Sequence, residues 1–518
     1  MVRRAIAMAA GEQYLRLAIQ FALIVVVSRL LTPAEIGVSV IGTGIMAIAL
    51  GLREFATSDF LIQRQEVGLD DIRASFTVLL LLTAVITAGM LVLAPWFGTF
   101  YGEEKLTRFL QVVAIGGLIE ALSLPIIGLL RRDMAFGTLA FINTVAATVA
   151  AVATVLLALV GFGFMSIAWG TVVAGAATTT ILSFYVRPDL TILRPSFRSW
   201  HRVLTFGGYH GASCVINRIY ETLPQLVLGR ILPHSAVGLY NRATVVSDIP
   251  DKIVLTSVFS VAFPALAAEI RQGRSLKEPY LRALGFITVF YWPGQILLVL
   301  LAYPIVSLLL GQQWLGIVPL LQLMAIAGLA WFPVVLTSPV LLALGANRDR
   351  VMVDLIGRSV SAVILCSAAW FGIMAMAASK LVTLPFQMAL SFYFVRRHVP
   401  FRWRELGAAL WKSAVVTAGS AAGPICVVAL SDTGFELRIA AAVAASALAG
   451  TGWLAAVLMT RHPVLLELRI ALGWIPGASF VRRCWCRARP HIGQGQAQEW
   501  PNRAHSDTLR NLADRGIL

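Results

Sequence analysis

Three groups of charged and polar residues sit where an apolar chain should not have them. Glu12, Arg16 and Gln20 recur every fourth residue in an otherwise apolar run, a spacing that puts all three on one face of a helix. Ser213, Asn217 and Glu221 repeat that spacing about two hundred residues later, with Arg218 and Gln225 beside them. A third group, Asn241, Arg242, Asp248, Asp251 and Lys252, follows at once, and Arg53 and Glu54 close the second apolar run. An ionisable side chain inside a membrane span costs roughly 2.5–3.5 kcal/mol, so such stripes are expected to face a hydrated interior. Their surplus of base suits an anion: guanidinium offers phosphate a rigid fork of donors where little water screens it. Arg16, Arg218 and Arg242 are the leading candidates for a diphosphate site, with Arg53 and Lys252 behind them. Glu12, Glu221 and Asp248 are candidates for coupling to protons or sodium. The competing reading is mutual neutralisation. Glu12 with Arg16, Asp248 with Lys252 and Asp354 with Arg358 each place an acid four residues before a base, the favourable order on a helix. Tyr14, Tyr209, Tyr220 and Tyr240 could stack on sugar rings or simply mark helix ends.

The elements that must carry these residues follow from composition. Of 518 residues, 58% are hydrophobic and 13% charged, about half the charge of a soluble domain. Apolar stretches fall near 6–30, 36–56, 74–96, 108–130, 136–160, 164–186, 203–229, 237–262, 281–304, 315–343, 351–371, 373–395, 408–430 and 437–460. The expected fold is an all-α polytopic membrane protein with about fourteen transmembrane helices, in a range of 12 to 14. The second, seventh and eighth stretches carry the most ionisable groups and are the weakest by hydropathy. The first, interrupted by Glu12, Arg16 and Gln20, reads as an uncleaved span and not as a signal peptide.

Orientation comes from where the bases fall. With the N-terminus inside, the inner loops hold 20 Lys and Arg residues, the outer loops five (Arg29, Lys105, Arg108, Arg230 and Arg438), and the C-terminal tail nine. That bias predicts both termini in the cytoplasm, and it accounts for most of the +16 net charge without nucleic acid.

An internal repeat supplies the architecture. Ser28-Arg29-Leu30-Leu31-Thr32-Pro33-Ala34-Glu35-Ile36-Gly37 matches Gly229-Arg230-Ile231-Leu232-Pro233-His234-Ser235-Ala236-Val237-Gly238, and Gly163–Ala168 matches Gly372–Ala377. Six helices is an even number, so the halves enter the membrane the same way and form parallel six-helix repeats around a central cavity. The expected divisions are 1–202 and 203–398 for the two lobes, 399–460 for two further helices and 461–518 for a basic cytoplasmic tail. That tail carries Arg482-Arg483-Cys484-Trp485-Cys486-Arg487, suited to anionic lipid. The five cysteines form no disulfide framework, the seven histidines show no ligand spacing, and no phosphate loop or nucleophile elbow appears. No cofactor and no enzymatic activity is implied.

Several motifs look familiar in their order. They are the decapeptide at Ser28–Gly37, then Phe60-Leu61-Ile62-Gln63-Arg64-Gln65-Glu66, Leu130-Arg131-Arg132-Asp133-Met134-Ala135-Phe136, Leu228–Leu232 through Val237–Ala243, and Val261-Ala262-Phe263-Pro264-Ala265-Leu266. In these the chain resembles the Wzx-type oligosaccharide flippases, in the polysaccharide transporter branch of the multidrug, oligosaccharidyl-lipid and polysaccharide exporter superfamily. Within that branch it resembles more closely the group that includes colanic acid exporters. The resemblance implies a multi-pass protein of the bacterial inner membrane that carries an undecaprenyl-diphosphate-linked sugar unit between leaflets by alternating access, for exopolysaccharide, capsule or lipopolysaccharide O-antigen assembly. Lipid-linked oligosaccharide and membrane lipids are the implied partners, with a polysaccharide polymerase and glycosyltransferases acting alongside. A multidrug exporter of the same superfamily is the alternative; it expects an acidic, aromatic cavity. A membrane-embedded polymerase or glycosyltransferase is a third, and expects larger extramembrane loops than this chain has.

Overall fold

Turn chemistry at Thr32 fixes where the second helix begins. Proline at the first helical position costs no hydrogen bond. Thr32 and Glu35 cap each other: Glu35 N donates to Thr32 Oγ1 at 3.3 Å and Thr32 N to Glu35 Oε2 at 2.9 Å. This reciprocal capping separates α1 (Val2–Leu30) from α2 (Pro33–Gly51), which continues as a 3-10 turn, Leu52–Ala56. The computed structural model describes residues 2–56, 68–186, 194–196, 200–253, 275–432 and 434–465. The motifs Phe60–Glu66 and Val261–Leu266 and the run Arg482–Arg487 lie outside the described residues, as do the side chains of Tyr209 and Ser213.

The first half continues with α3 (Leu69–Tyr101), α4 (Glu104–Ala121), α5 (Leu124–Arg132), α6 (Phe136–Leu159) and α7 (Met165–Tyr185). The second half comprises α8 (Trp200–Ile231), α9 (His234–Ser247), α10 (Lys277–Leu300), α11 (Ala302–Leu309), a 3-10 turn Gln312–Ile317, α12 (Val318–Gly328), α13 (Phe332–Ala343), α14 (Asn347–Ala369) and α15 (Ile373–His398). Then come α16 (Trp403–Leu430) and α17 (Ile439–Thr460). Among the described residues, ten helices are long and apolar enough to cross a membrane, or up to 12 if each of two bent pairs is one span. The protein is therefore all-helical and multi-pass. Among the described residues, α8 and the 14-residue α9, in the charged seventh and eighth stretches, do not meet that standard of length and apolarity.

Two stretches expected to be continuous are broken. α4 and α5 meet at 41°, and the helix running from Gln312 to Gly328 meets α13 at 47°. Pro125 and Pro333 stand in the first turn of the second member of each pair, where a missing N–H is harmless only because a new helix starts there.

The packing pattern of the first half recurs in the second. α1 packs on α6, α2 on α4, α3 on α4, and α7 on both α4 and α6. Correspondingly α8 packs on α14, α9 on α12, α10 on α12, and α15 on both α12 and α14. The largest apolar core joins the halves, drawing Ile36, Ile41 and Phe109 together with Val237, Trp314 and Leu320. α16 and α17 pack on each other, and α16 lies along α10. Ser413 Oγ donates to Gly285 O at 3.1 Å and Trp453 Nε1 to Val289 O at 2.9 Å.

Candidate functional site: a sealed end and three arginines beneath it

The matching decapeptides meet each other. α2 crosses α9 so closely that a Cβ on Gly37 would overlap the carbonyl of His234, and a Cβ on Gly238 would overlap the carbonyl of Pro33. Pro33 and Gly37 match His234 and Gly238 in the repeat, so the contact is reciprocal. Backbones approach this closely only where both side chains are absent.

More contacts close the same end. Gln313 Nε2 donates to Ser28 O at 2.7 Å and Leu31 O at 3.1 Å, and Trp314 Nε1 donates to Ser28 O at 2.6 Å. These bonds satisfy carbonyls that a helix C-terminus leaves without partners. Arg29 donates to the carbonyls of Leu308 and Leu309. On the other side His234 Nε2 pairs with Tyr101 O at 3.2 Å, and the Arg230 guanidinium lies 5.1 Å from the Phe100 ring centre.

Depth below this sealed end follows from helix rise. At 1.5 Å per residue, Arg242 lies about 12 Å below the start of α9, Arg218 about 20 Å from the end of α8 and Arg16 about 21 Å from the end of α1. Arg53 is about 30 Å along α2 and its extension. The two arginines on the first helix of each half thus stand at one depth, with Arg242 nearer the seal.

Their surroundings differ. Arg16 is exposed. Arg218, 57% exposed, pairs with Glu221 at 3.2 Å, and its aliphatic stem packs on Gly51. Arg242 is only 8% exposed, its Nε has no hydrogen-bond partner, and its guanidinium carbon sits 5.9 Å from the Trp314 ring centre. Arg53 is bound by Glu120 at 3.0 Å, a partner 67 residues away that spacing could not suggest. Glu12 accepts from Asn143 Nδ2 of α6 at 2.7 Å, so its described partner is not Arg16. Asp354 and Arg358 do approach, at 4.0 Å. Asp248 interacts electrostatically with Lys380 and Lys252.

Lys380 is a base the sequence did not single out as part of the site. Its ammonium lies 5.7 Å from the Tyr240 ring centre, and Tyr240 is buried. Tyr240 is therefore not free to stack on a sugar: the close packing of α9 that buries it also hides its face. Tyr220 is tied by its hydroxyl to Ser359 Oγ at 2.6 Å, whereas Tyr14 is exposed. Among the described residues no group of His, Cys, Asp and Glu could hold a metal ion.

These features make a multi-pass helical-bundle fold in which the packing pattern of the first half recurs in the second. It is shared with the lipid II flippase MurJ in its inward closed conformation, with a TM-score of 0.72, 11% identity and coverage of 88% of this chain and 99% of that one. The chain itself belongs to the polysaccharide biosynthesis protein family, whose model matches residues 26–319. Among its relatives, the lipopolysaccharide biosynthesis protein WzxC of Escherichia coli (strain K12) is 24% identical over 308 residues, 59% of this chain and 62% of that protein. The succinoglycan biosynthesis transport protein ExoT of Rhizobium meliloti (strain 1021) is 27% identical over 315 residues, 60% of this chain and 62% of that protein.

Proposed function

We propose that this protein is a Wzx-type flippase. It moves a lipid-diphosphate-linked oligosaccharide from the inner to the outer leaflet of the bacterial inner membrane, for exopolysaccharide, capsule or lipopolysaccharide assembly. The observation that carries the reading is the pairing of a polysaccharide biosynthesis family with a fold shared by a lipid flippase. Relatives named for lipopolysaccharide biosynthesis and for succinoglycan transport agree with it. The chain acts as a carrier and not as an enzyme, upstream of a polysaccharide polymerase and downstream of glycosyltransferases.

In this reading fourteen spans form two parallel six-helix lobes (1–202 and 203–398), two added helices (399–460) and a basic tail (461–518), with both termini cytoplasmic. The recurrent packing pattern and the reciprocal Gly37/Gly238 contact support the repeat. The sealed end is the outer one, and the cavity below it opens inward. Arg16, Arg218 and Arg242 hold the diphosphate, with Arg53 and Lys252 along its path, while the prenyl chain stays in lipid between the lobes. Glu12, Glu221 and Asp248 are the sites at which an ion gradient couples to rocking of the lobes.

Arg16→Ala, Arg218→Ala and Arg242→Ala should each cut polymer export about tenfold or more, the loss expected when charge-assisted hydrogen bonds are removed. The measurement is surface polysaccharide in a deletion strain carrying each variant, with membrane-fraction blots as the control. Unchanged export in all three overturns the cavity assignment.

A further inference from the structure

Arg242 is the anomaly of the bundle. A guanidinium this deeply buried normally has a carboxylate beside it, because an uncompensated buried charge is strongly destabilising. Among the described residues no acid lies within ion-pair distance, and its Nε hydrogen bonds to nothing. Its one described partner is the face of Trp314, a residue with no exposure at all.

Trp314 is held from its other edge. Its indole N–H donates to Ser28 O at 2.6 Å, beside the Gln313 bonds to Ser28 O and Leu31 O. The turn that delivers both residues starts at Gly311, whose φ of 100° is one that side-chain-bearing residues rarely adopt. One indole thus touches the Arg242 guanidinium with its face and the end of α1 with its edge. The attraction of a desolvated cation to the face of tryptophan orients the guanidinium but does not neutralise it.

The geometry points to Trp314 as a positioning residue. It aims Arg242 at the anionic group of the cargo and ties that arginine to α1 through Ser28, so that an anion drawing Arg242 away from the ring also releases the tie that closes the outer end. This rests on the flippase reading and adds a specific link between occupancy and opening. The ligand class is a prenyl diphosphate; the sugars play no part in the link.

The test uses the full-length protein in lipid nanodiscs, with farnesyl diphosphate as probe and calorimetry as readout. A second readout is maleimide labelling of Leu31→Cys, a buried position at the sealed end, in a background without the native cysteines. Trp314→Leu should weaken probe binding about tenfold and Trp314→Phe, which keeps an aromatic face, about twofold or less. Trp314→Phe keeps an aromatic ring but removes the indole N–H and with it the bond to Ser28, so it should raise labelling about fivefold without probe, the effect of losing about 1 kcal/mol. Probe should raise labelling of the otherwise wild-type chain likewise. Arg242→Lys leaves Trp314 intact and tests the same stack if Trp314→Leu does not fold; it should weaken binding about threefold to tenfold, since lysine lacks the planar fork.

If Arg242→Ala loses binding while Trp314→Leu and Arg242→Lys bind as wild type, the positioning role is overturned and the diphosphate reading stands. If labelling is unmoved by both Trp314→Phe and probe, the tie to the outer end is overturned. If the wild type takes up no probe, or Arg242→Ala binds as wild type, the diphosphate assignment itself fails, and the inference with it.

Discussion

α1 and α8 open the two halves and carry equivalent polar stripes, yet the structure holds them differently. α8 packs on α2 and its 3-10 extension, on α3 and on α14, with Tyr220 bonded to Ser359. α1 lies chiefly along α6, tied there by Asn143 to Glu12 and at its end by Gln313 and Trp314. Among the described residues it forms no seam with α9 to match the one between α8 and α2. Among the described residues, one flank between the halves is therefore stitched along its length, whereas the other is fastened mainly at the sealed end. Repetition in sequence does not impose repetition in packing. On the proposed flippase reading, the less stitched flank is where a lipid tail would remain in the bilayer while its headgroup enters.

The strongest way to break this contrast is at the shared crossing. Gly37→Val or Gly238→Val drives a branched side chain into backbone, overpacking that costs about 1–3 kcal/mol or more. Polymer export should fall about tenfold or further with protein still in the membrane, and export at wild-type level would show that the crossing is dispensable. A finer comparison sets the two lateral ties against each other. Asn143→Leu leaves the Glu12 carboxylate without its amide donor and should cost about 2 kcal/mol, whereas Tyr220→Phe removes one neutral hydrogen bond and should cost about 1 kcal/mol. Thermal unfolding of the purified variants measures both, and the reverse order would mean that the bond to the Glu12 carboxylate is not the stronger of the two lateral ties.

The smallest expected effect lies beyond both flanks, where α17 ends. His462 is buried beside Ser413, with Nε2 at 3.3 Å from its hydroxyl. Burial, assisted by the charge of Lys412, pushes its pKa down from 6.5 to about 4. The unfolded chain therefore binds the proton at higher pH than the folded one. The contribution of His462 to stability is complete above about pH 6.5 and is lost as the pH falls towards 4, because stability rises with pH wherever the unfolded state holds more protons. Unfolding temperature measured across that window should slope less in His462→Gln than in the wild type, and identical slopes would exclude His462 as the cause.

Much of the helix layout was legible from the chain because it depends on local chemistry. Thr32, Pro33 and Glu35 announce the start of α2, and the apolar stretches place the long helices. The breaks before α5 and before α13 were less visible, since Pro125 and Pro333 are as compatible with a kinked span as with a new start. The charged candidates were legible in residue type but not in partnership. Spacing suggests neighbours three or four residues apart, so it foresaw Asp354 with Arg358. It offered Arg16 to Glu12 and nothing to Arg53, whose carboxylate comes from α4. Trp314 carried no signal at all: a tryptophan in an apolar run looks like lipid-facing bulk, and only the fold brings it against Arg242. The same limit hid Lys380, which reaches Tyr240 only because α15 folds back onto α9.

The bonds from Gln313 and Trp314 to Ser28 span 285 and 286 residues of chain. The ribosome makes α1 first, yet the donors for its last carbonyls are made after more than half of the protein is complete. During synthesis α1 must wait in the bilayer with that end unfinished, held by α6 once α6 exists. Assembly is thus ordered by the chain itself: this end cannot be sealed around an incomplete second half, and a truncated product keeps its earliest helix unlatched, a mark by which membrane quality control could tell it from the finished protein.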